Sequence, residues 1–243
     1  MKKGVTSRFS RPQVLAVQSL RASPDAPQLL EWDCLDDAGL AAYLVEREGV
    51  PVGRTLQAGF IDGGLRAGQS TNFSVRAIDR AGNLDPASTL LYQMPASFQR
   101  LQNGGFDTDL TGWSLSELNG AVGVLSRQIG GAVHVAVPTP ADTDWSLQFQ
   151  QALDLHTGVR YALSFRARSS VATNISVSLQ HRIDPYASYA ASGPLALSST
   201  WQSFELAAQT AANQPSNVSF MLAVVPMGAW VEIDDVRLIE RAP

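Results

Sequence analysis

The chain has 243 residues, of which 45% are hydrophobic and 16% charged, and its formal net charge is −4. This length suits one large domain or two of ordinary size, and the 19 Gly and 13 Pro residues favour strands and turns over helices. The negative charge gives nucleic-acid binding little help, and no apolar run approaches the roughly 20 residues of a membrane span, so neither interaction is expected.

The first eleven residues form a basic arm that carries Lys2, Lys3, Arg8 and Arg11 and no acidic residue. The arm lacks the apolar central region and the small-residue cleavage site of a secretory signal. Basic side chains at this density suit an acidic surface on another protein, so we expect the arm to attach the chain to an assembly. A solvated tail is the alternative interpretation.

Residues 12–95 alternate short apolar runs with turn residues, at a spacing typical of a β-sandwich. The alternation of apolar and polar side chains is clearest in YLVER and FSVRAI. Trp32 and the runs YLVEREG, FIDGGL and VRAIDRAGN together resemble a fibronectin type III domain. The resemblance implies an immunoglobulin-like sandwich over this part of the chain.

A second domain is expected over residues 101–240, after a linker at residues 96–100. Its strands are longer, and YALSFRAR, NISVSLQ and WSLQFQQ each place apolar side chains on one side and polar ones on the other. The predicted inward residues are Leu147, Phe149, Tyr161, Leu163, Phe165, Ile175, Val177 and Leu179. Such strands suit a two-sheet jelly roll, so the whole chain is predicted to be all-β.

Four separated blocks of the second domain resemble the carbohydrate-binding modules of families four, nine and twenty-two. The blocks are LQNGGFDTDLTGWSL, DWSLQFQQALDLHTGVRYALSFRARSS, WQSFELAAQT and AWVEIDDVRLIE. The resemblance implies a structural calcium ion (Ca2+) held by an acid of the opening loop and an aspartate of the last strand. On this chain those ligands are Asp107 and Asp234, with the Gly105 carbonyl as a third.

The last strand gives an independent sign of an irregularity near this site. The apolar residues change parity between Ile233 and Val236, which indicates a bulge that would re-aim a carboxylate. The family usually has glutamate at the position of Asp107. An ordinary turn-forming Asp107 and an exposed Asp234 at a strand end are the alternative interpretation. On either interpretation, the loop ties the first and last segments of the domain together.

The outward positions of the middle strands carry amides and hydroxyls, which suit hydrogen bonding to sugar hydroxyls. We predict a carbohydrate-binding face there, with stacking aromatic rings from the loop HRIDPYASYAASG. The predicted contact residues are Gln148, Gln150, Arg166, Gln180, Tyr186 and Tyr189. Trp145 is a further stacking candidate, although its phase suits core packing at least as well. A solvated sheet without a ligand is the alternative for the whole face.

The sequence carries no catalytic motif that would indicate an enzyme. Glycoside hydrolysis needs two carboxylates across a cleft, where the predicted face offers Gln and Ser. His134, His156 and His181 are scattered, and we expect neither His134 nor His156 to lie near a partner. The chain is therefore predicted to be non-enzymatic.

Two contexts remain for a glycan-binding chain of this kind. We favour a virion component, such as a phage tail or baseplate protein, because the chain starts at its own Met1 without a signal and without an attached catalytic domain. The chain would then be located in a virion or outside the cell, with host-surface polysaccharide and other virion proteins as partners. The alternative is an accessory polysaccharide-binding module of a secreted bacterial glycoside hydrolase system.

Overall fold

The computed structural model describes residues 17–24, 26–34, 39–209 and 214–242. The fold is all-β, as the sequence predicts, with a single turn of 3-10 helix at Asp144–Ser146 among the described residues. None of the described segments forms a helix long and apolar enough to cross a membrane. The basic arm expected at residues 1–11 lies outside the described residues, so its role as an attachment segment stays a prediction.

The first compact unit comprises Met1–Leu65 and Gln69–Pro95 and forms a β-sandwich. Its strands are β1 (Val17–Ala22), β2 (Leu29–Cys34), β3 (Leu40–Arg47), β4 (Val50–Thr55), β5 (Gly59–Ile61), β6 (Ser70–Asp79) and β7 (Ser88–Gln93). One sheet has the order β1-β2-β5 and the other the order β4-β3-β6-β7. Trp32 of β2 packs edge-on against Tyr43 of β3, with 5.2 Å between ring centroids, so two buried rings join the sheets.

The second compact unit comprises Arg66–Gly68 and Ala96–Pro243. Its strands are β8 (Ser97–Gln99), β9 (Trp113–Glu117), β10 (Val122–Arg127), β11 (Val133–Thr139), β12 (Leu147–Leu155), β13 (Arg160–Ser169), β14 (Thr173–His181), β15 (Ser188–Ala191), β16 (Leu195–Leu197), β17 (Gln202–Gln209), β18 (Gln214–Met221) and β19 (Trp230–Arg241). Sheet I has the order β15-β14-β18-β12-β9, with β16 beside β14. Sheet II has the order β10-β11-β19-β13-β17, with β8 beside β19.

The core of the second unit lies between the two sheets. Phe165 from sheet II meets Phe220 from sheet I edge to face, with 4.9 Å between ring centroids. Trp113 stacks on Phe149 at 4.7 Å. All eight residues predicted to point inward are buried, which confirms the alternation seen in the sequence. Each large apolar side chain that is fully buried contributes about 1.5–3 kcal/mol relative to its exposed state, so this core is the main source of stability.

The segment expected to be a linker is instead part of the second unit. Ser97–Gln99 forms β8, in which Phe98 pairs with Glu240 of β19. Phe98 is buried, and the buried Arg100 guanidinium lies 4.6 Å from its ring centroid and pairs with the Glu240 carboxylate. The linker prediction was wrong at these residues. The segment begins with residues typical of a turn, and these obscured the two buried alternate positions, Phe98 and Arg100.

The backbone of the opening loop, residues 102–113, is hydrogen-bonded to both sheets. Gln151 of β12 holds Gln102 at two points, accepting from its backbone N–H at 2.8 Å and donating to its carbonyl at 2.9 Å. The Gly104 carbonyl accepts a hydrogen bond from the Val236 backbone N–H of β19 at 2.9 Å. The predicted tie between the first and last segments of the domain is therefore confirmed.

Candidate functional site

The outward side of sheet I carries a continuous set of amide and hydroxyl side chains. In the register of β12, β18 and β14, Gln150 lies opposite Ser219, and Ser219 lies opposite Ser178. Two residues further along, Asn217 lies opposite Gln180. We call this set the amide face, and its members are Gln148, Gln150, Ser178, Gln180, Asn217 and Ser219. No member carries a formal charge. Gln150 is half-buried and the other five members are buried, so a ligand would meet the face mainly through Gln150.

Gln150 is held in place by its neighbours on β18. Its Oε1 accepts hydrogen bonds from Asn217 Nδ2 at 2.7 Å and from Ser219 Oγ at 3.4 Å. These contacts use the acceptor end of the amide and leave Gln150 Nε2 without a partner among the described residues. Because the amide is fixed before a ligand arrives, less side-chain entropy is lost on binding.

A second set of hydrogen bonds joins β14 to β12 across the intervening strand. Ser178 Oγ donates to Gln180 Oε1 at 2.8 Å, and Gln180 Nε2 donates to Gln148 Oε1 at 3.4 Å. Gln148 Nε2 donates in turn to the Trp145 carbonyl at 2.8 Å. The structure thus brings together the three glutamines that the sequence predicts as sugar contacts.

Tyr186 lies in the loop that joins β14 to β15, beyond the Gln180 end of the amide face. The loop is closed by hydrogen bonds from the Tyr186 backbone N–H to the Ile183 carbonyl and from the His181 backbone N–H to the Ala187 carbonyl. The Tyr186 side chain is 58% exposed. An exposed ring in a closed loop can stack on the apolar face of a pyranose, which is the role predicted for Tyr186.

Trp145 is a second exposed ring, beside the other end of the face. It sits in the 3-10 turn that precedes β12 and is 44% exposed, whereas Leu147, two residues later, is fully buried. The 3-10 turn breaks the strand alternation, so the phase that suggested core packing does not extend back to Trp145. The Trp145 ring is exposed to solvent, and its backbone carbonyl accepts a hydrogen bond from Gln148 Nε2.

Tyr189 does not belong with Tyr186. The pairing of β14 with β15 shifts between Leu179 and Gln180, and Tyr189 falls at this irregularity and packs against the core. Its side chain lines a separate cleft of about 480 Å³ with residues that include Arg160 and Glu205. The expectation that both tyrosines serve the same face was wrong, since an extra residue in the strand reverses which side its neighbour faces.

Arg166 also lies away from the amide face. It projects outward from β13, which belongs to sheet II, where it pairs with Asp234 of β19. The prediction that groups it with the glutamines was wrong because alternation along a strand tells inward from outward but not which sheet contains the strand. Hydrogen bonding to the Asp234 side chain is the main cause that raises the pKa of Arg166.

The predicted irregularity in the last strand is confirmed. Arg166 pairs with Asp234 and Ser164 with Arg237, so β19 holds one residue more than β13 over this interval. Asp235 has a φ of +52°, as a bulge residue often does. The bulge aims the Asp234 carboxylate at Arg166, whose Nη2 lies 2.5 Å from Asp234 Oδ2.

Two of the three predicted calcium ligands converge on Gly131. A β-carbon built on Gly131 would lie 2.9 Å from the Gly105 carbonyl oxygen and 3.6 Å from Asp107 Oδ1. The third, Asp234, is occupied by a guanidinium, and within the described ranges no group of three or more His, Cys, Asp or Glu side chains is placed to hold a metal ion. Since calcium takes 6–8 oxygen ligands, the ion would need further oxygens, and it stays a prediction.

His134 has a partner, so the expectation that it lies near none was wrong. The pairing of β11 with β19 sets His134 opposite Glu232, with 3.3 Å between its Nδ1 and Glu232 Oε1. Its ring also lies 5.2 Å from the Trp230 ring centroid. Glu232 accepts from Arg168 Nε at 2.7 Å as well, which links three strands of sheet II. Only the pairing register between distant strands reveals this group.

Comparison with protein families gives one match to the second unit. The family model described as a carbohydrate binding domain, CBM 4/9, matches residues 99–227. This range includes the opening loop, the β12 and β14 parts of the amide face, and both exposed rings.

Known proteins resemble the same part of the chain. Exoglucanase B of Cellulomonas fimi is 33% identical over 93 residues, which are 37% of this chain and 8% of the exoglucanase, so the chain spans a small part of that relative. A solved structure described as "CBM4 structure and function" has a TM-score of 0.52 and 22% identity, over 58% of this chain and 99% of its own. The enzymatically active domain of bacteriophage CBA120 tailspike protein 4 has a TM-score of 0.44 and 15% identity, over 58% of this chain and 21% of its own. The first of these structures confirms the predicted jelly roll.

Proposed function

We propose that the amide face of the second unit binds a neutral polysaccharide. This chain belongs to the CBM 4/9 family of carbohydrate binding domains. The observation that carries this proposal is the hydrogen-bonded network that fixes Gln148, Gln150 and Gln180 on one side of sheet I. Amides supply both donors and acceptors, which is what the hydroxyls of a neutral sugar require.

Two exposed rings beside the face favour a polymer over a single sugar. The amide face covers β14, β18 and β12, three neighbouring strands that at about 4.8 Å between neighbours span about 10 Å. Trp145 and Tyr186 lie toward opposite sides of that span, at β12 and at the β14–β15 loop, and both rings are exposed. Two rings separated by a polar surface suit a chain whose sugars stack at two places and hydrogen-bond between them.

The chemistry of the face supports binding without cleavage. Hydrolysis of a glycosidic bond requires an acid and a base or nucleophile, normally two carboxylates. The amide face offers amides and hydroxyls, which hold a sugar but do not protonate its leaving oxygen at neutral pH. We therefore assign the second unit a non-catalytic role.

The exoglucanase relative supports an accessory role beside a polysaccharide-degrading enzyme, and its name suggests a glucan as the ligand. A virion component that binds host glycans remains a prediction from the sequence, as does an extracellular or virion location. The first unit, with its three-strand and four-strand sheets, is proposed to be a fibronectin type III spacer.

The proposal is tested by affinity electrophoresis of the full chain in gels that contain a soluble neutral β-glucan. Gln150→Ala and Tyr186→Ala should each weaken retardation by about tenfold or more, because a buried hydrogen bond or a stacked ring is lost. Ser164→Ala, on the outer side of sheet II, is the matched control and should migrate like the parent. Retardation that is absent in the parent, or unchanged in both variants, would contradict the proposal.

A further inference from the structure

The outer side of sheet II contains a second cleft, on the opposite side of the sandwich from the amide face. Its volume is about 220 Å³. One wall is the turn of the β10–β11 hairpin, residues 128–132, and the other is formed by Arg166, Arg168 and Trp201. Glu232 and Asp234 lie at the base. The proposed glycan-binding function uses none of these residues.

The charges in this cleft are arranged in two layers. The side chains of Glu232 and Asp234 are only 7% and 6% exposed, whereas those of Arg168 and Arg166 are 36% and 41% exposed. The carboxylates lie beneath the guanidinium groups and hold them from below. A ligand that enters the cleft therefore meets the arginines first.

The hydrogen bonds leave one arginine with a free edge. Arg168 donates through Nε to Glu232 Oε2 at 2.7 Å, and its two Nη groups have no partner among the described residues. Arg166, in contrast, uses both Nε and Nη2 on Asp234. The free Nη1–Nη2 edge of Arg168 matches the two oxygens of a carboxylate, which a guanidinium binds through two parallel hydrogen bonds.

Aromatic rings fix the two guanidinium groups. Both lie 4.8 Å from the Trp201 ring centroid, and Arg168 also lies 5.9 Å from the Trp230 ring centroid. Because these contacts restrain long side chains, little conformational entropy remains to be lost when a ligand binds. The two arginines face three carboxylates, since Asp235 also lies 3.0 Å from Arg166. The cleft therefore has no excess positive charge and would select a ligand by short-range hydrogen bonds and not by long-range attraction.

The opposite wall is open and carries one large apolar side chain, Ile129. Ile129 at the tip of the hairpin is fully exposed, and a β-carbon built on Gly130 would meet no atom within 4 Å. The Ile129 side chain is therefore available to contact a ring that enters the cleft. A sugar acid matches these two features, since the apolar face of its pyranose ring suits Ile129 and the carboxylate at its ring edge suits the free edge of Arg168.

We propose that this cleft is a second saccharide site and that it binds a uronate residue of an acidic polysaccharide. Arg168 would donate two parallel hydrogen bonds to the carboxylate, and Trp201 and Ile129 would contact the ring. The proposal does not depend on the amide face, because the two sites lie on different sheets and take ligands of different charge.

The test is a calorimetric titration of the full chain with a galacturonic acid trimer. Parallel titrations use the neutral galactose trimer of the same linkage and sodium sulfate. We expect the acidic trimer to bind and the neutral trimer and sulfate to bind at least about tenfold more weakly, the difference expected from losing charge-assisted hydrogen bonds. Equal binding of sulfate or of the neutral trimer would overturn the uronate assignment.

Variants locate the binding. Arg168→Lys keeps the positive charge but removes the bidentate edge, so it should weaken binding of the acidic trimer. Trp201→Ala should weaken that binding as well. Ser164→Ala, outside the cleft, is the control, and circular dichroism verifies that each variant is folded. Loss of acidic-trimer binding in Gln150→Ala, or its retention in both Arg168→Lys and Trp201→Ala, would overturn the proposal. An absence of binding to the parent would overturn it directly.

Discussion

Arg166 and Asp234 face each other across β13 and β19, where the Asp234 carboxylate accepts from Arg166 Nη2 at 2.5 Å and from Nε at 3.2 Å. The bulge residue Asp235 brings a second carboxylate to within 3.0 Å of the same guanidinium. One arginine thus neutralises two neighbouring acids at the point where the last strand changes register.

Removing this arginine should destabilise the second unit. Arg166→Met leaves the nearly buried Asp234 carboxylate without its cation, which for a fully buried pair would cost about 3–5 kcal/mol. Because the arginine side chain is 41% exposed, we expect a loss of about 1–2 kcal/mol in the free energy of unfolding, measured in urea. Arg237→Met, whose guanidinium is 65% exposed and 3.9 Å from Asp235, should change stability by less than about 0.5 kcal/mol. Equal losses of unfolding free energy in the two variants would show that the Arg166–Asp234 pair stabilises the protein no more than an exposed ion pair does.

A calcium ion bound by Asp107, the Gly105 carbonyl and Asp234 predicts a stability that depends on the metal. A bound ion at 100 times its dissociation constant stabilises by about 2.7 kcal/mol, so a chelator should lower the Tm of the parent in a thermal scan. Asp107→Ala should start from the lower Tm and show no response to the chelator. If the parent Tm is unchanged by the chelator and Asp107→Ala is as stable as the parent, Asp234 serves Arg166 alone.

The opening loop should not tolerate a side chain at Gly104. A β-carbon there would lie 1.9 Å from the Val236 carbonyl oxygen, which belongs to the backbone of β19 and has no easy way to move. Gly104→Ala should therefore destabilise by about 3 kcal/mol or more in urea. Gly193→Ala is the matched control, because its β-carbon would meet no atom within 4 Å. A Gly104→Ala protein as stable as the control would mean that the loop is not held against the last strand.

Asp109 should make the opening loop sensitive to acid. The pKa of Asp109 is lowered, first by the Thr111 backbone N–H, which donates to Asp109 Oδ1 at 2.9 Å, and also by Asn103. A lowered folded-state pKa gives stability that is present above the ordinary value of 3.8 and is lost as the pH falls through the folded-state pKa. Between pH 7 and pH 3, the Tm of the parent should fall further than that of Asp109→Asn. Parallel curves for the two proteins would argue against this contribution.

Local patterns in the sequence predicted much of this fold correctly. The alternation in YALSFRAR identified Leu163 and Phe165 as core residues, and the change of parity after Ile233 identified the bulge, because both follow from the two-residue period of a strand. Arg166 was assigned to the wrong sheet for the same reason: the period carries no information on which distant strand lies alongside. That information is in the pairing register, which depends on contacts between residues far apart in the chain.

The candidate site shows the same division between local and distant information. The glutamines of β12 and β14 were identified from their outward phase, but Asn217 and Ser219 of the intervening β18, which hold Gln150, were not. The strand phase does not decide between stacking and core packing for Trp145, because a single 3-10 turn interrupts the strand pattern just before Leu147. Short helical turns of this kind leave no periodic signal in a sequence.

Nuclear magnetic resonance of the side-chain amide groups reports directly on whether a glucan binds at the amide face. The full chain, labelled with nitrogen-15, is titrated with a neutral β-glucan oligomer, and the side-chain NH2 signals and tryptophan indole signals are followed. Binding at the amide face predicts that the Gln150 and Gln148 NH2 signals and the Trp145 indole signal shift together with one dissociation constant, while the Trp201 indole signal stays in place. Shifts confined to Trp201 and Trp230, or no shift at saturating oligomer, would rule out glucan binding at the amide face.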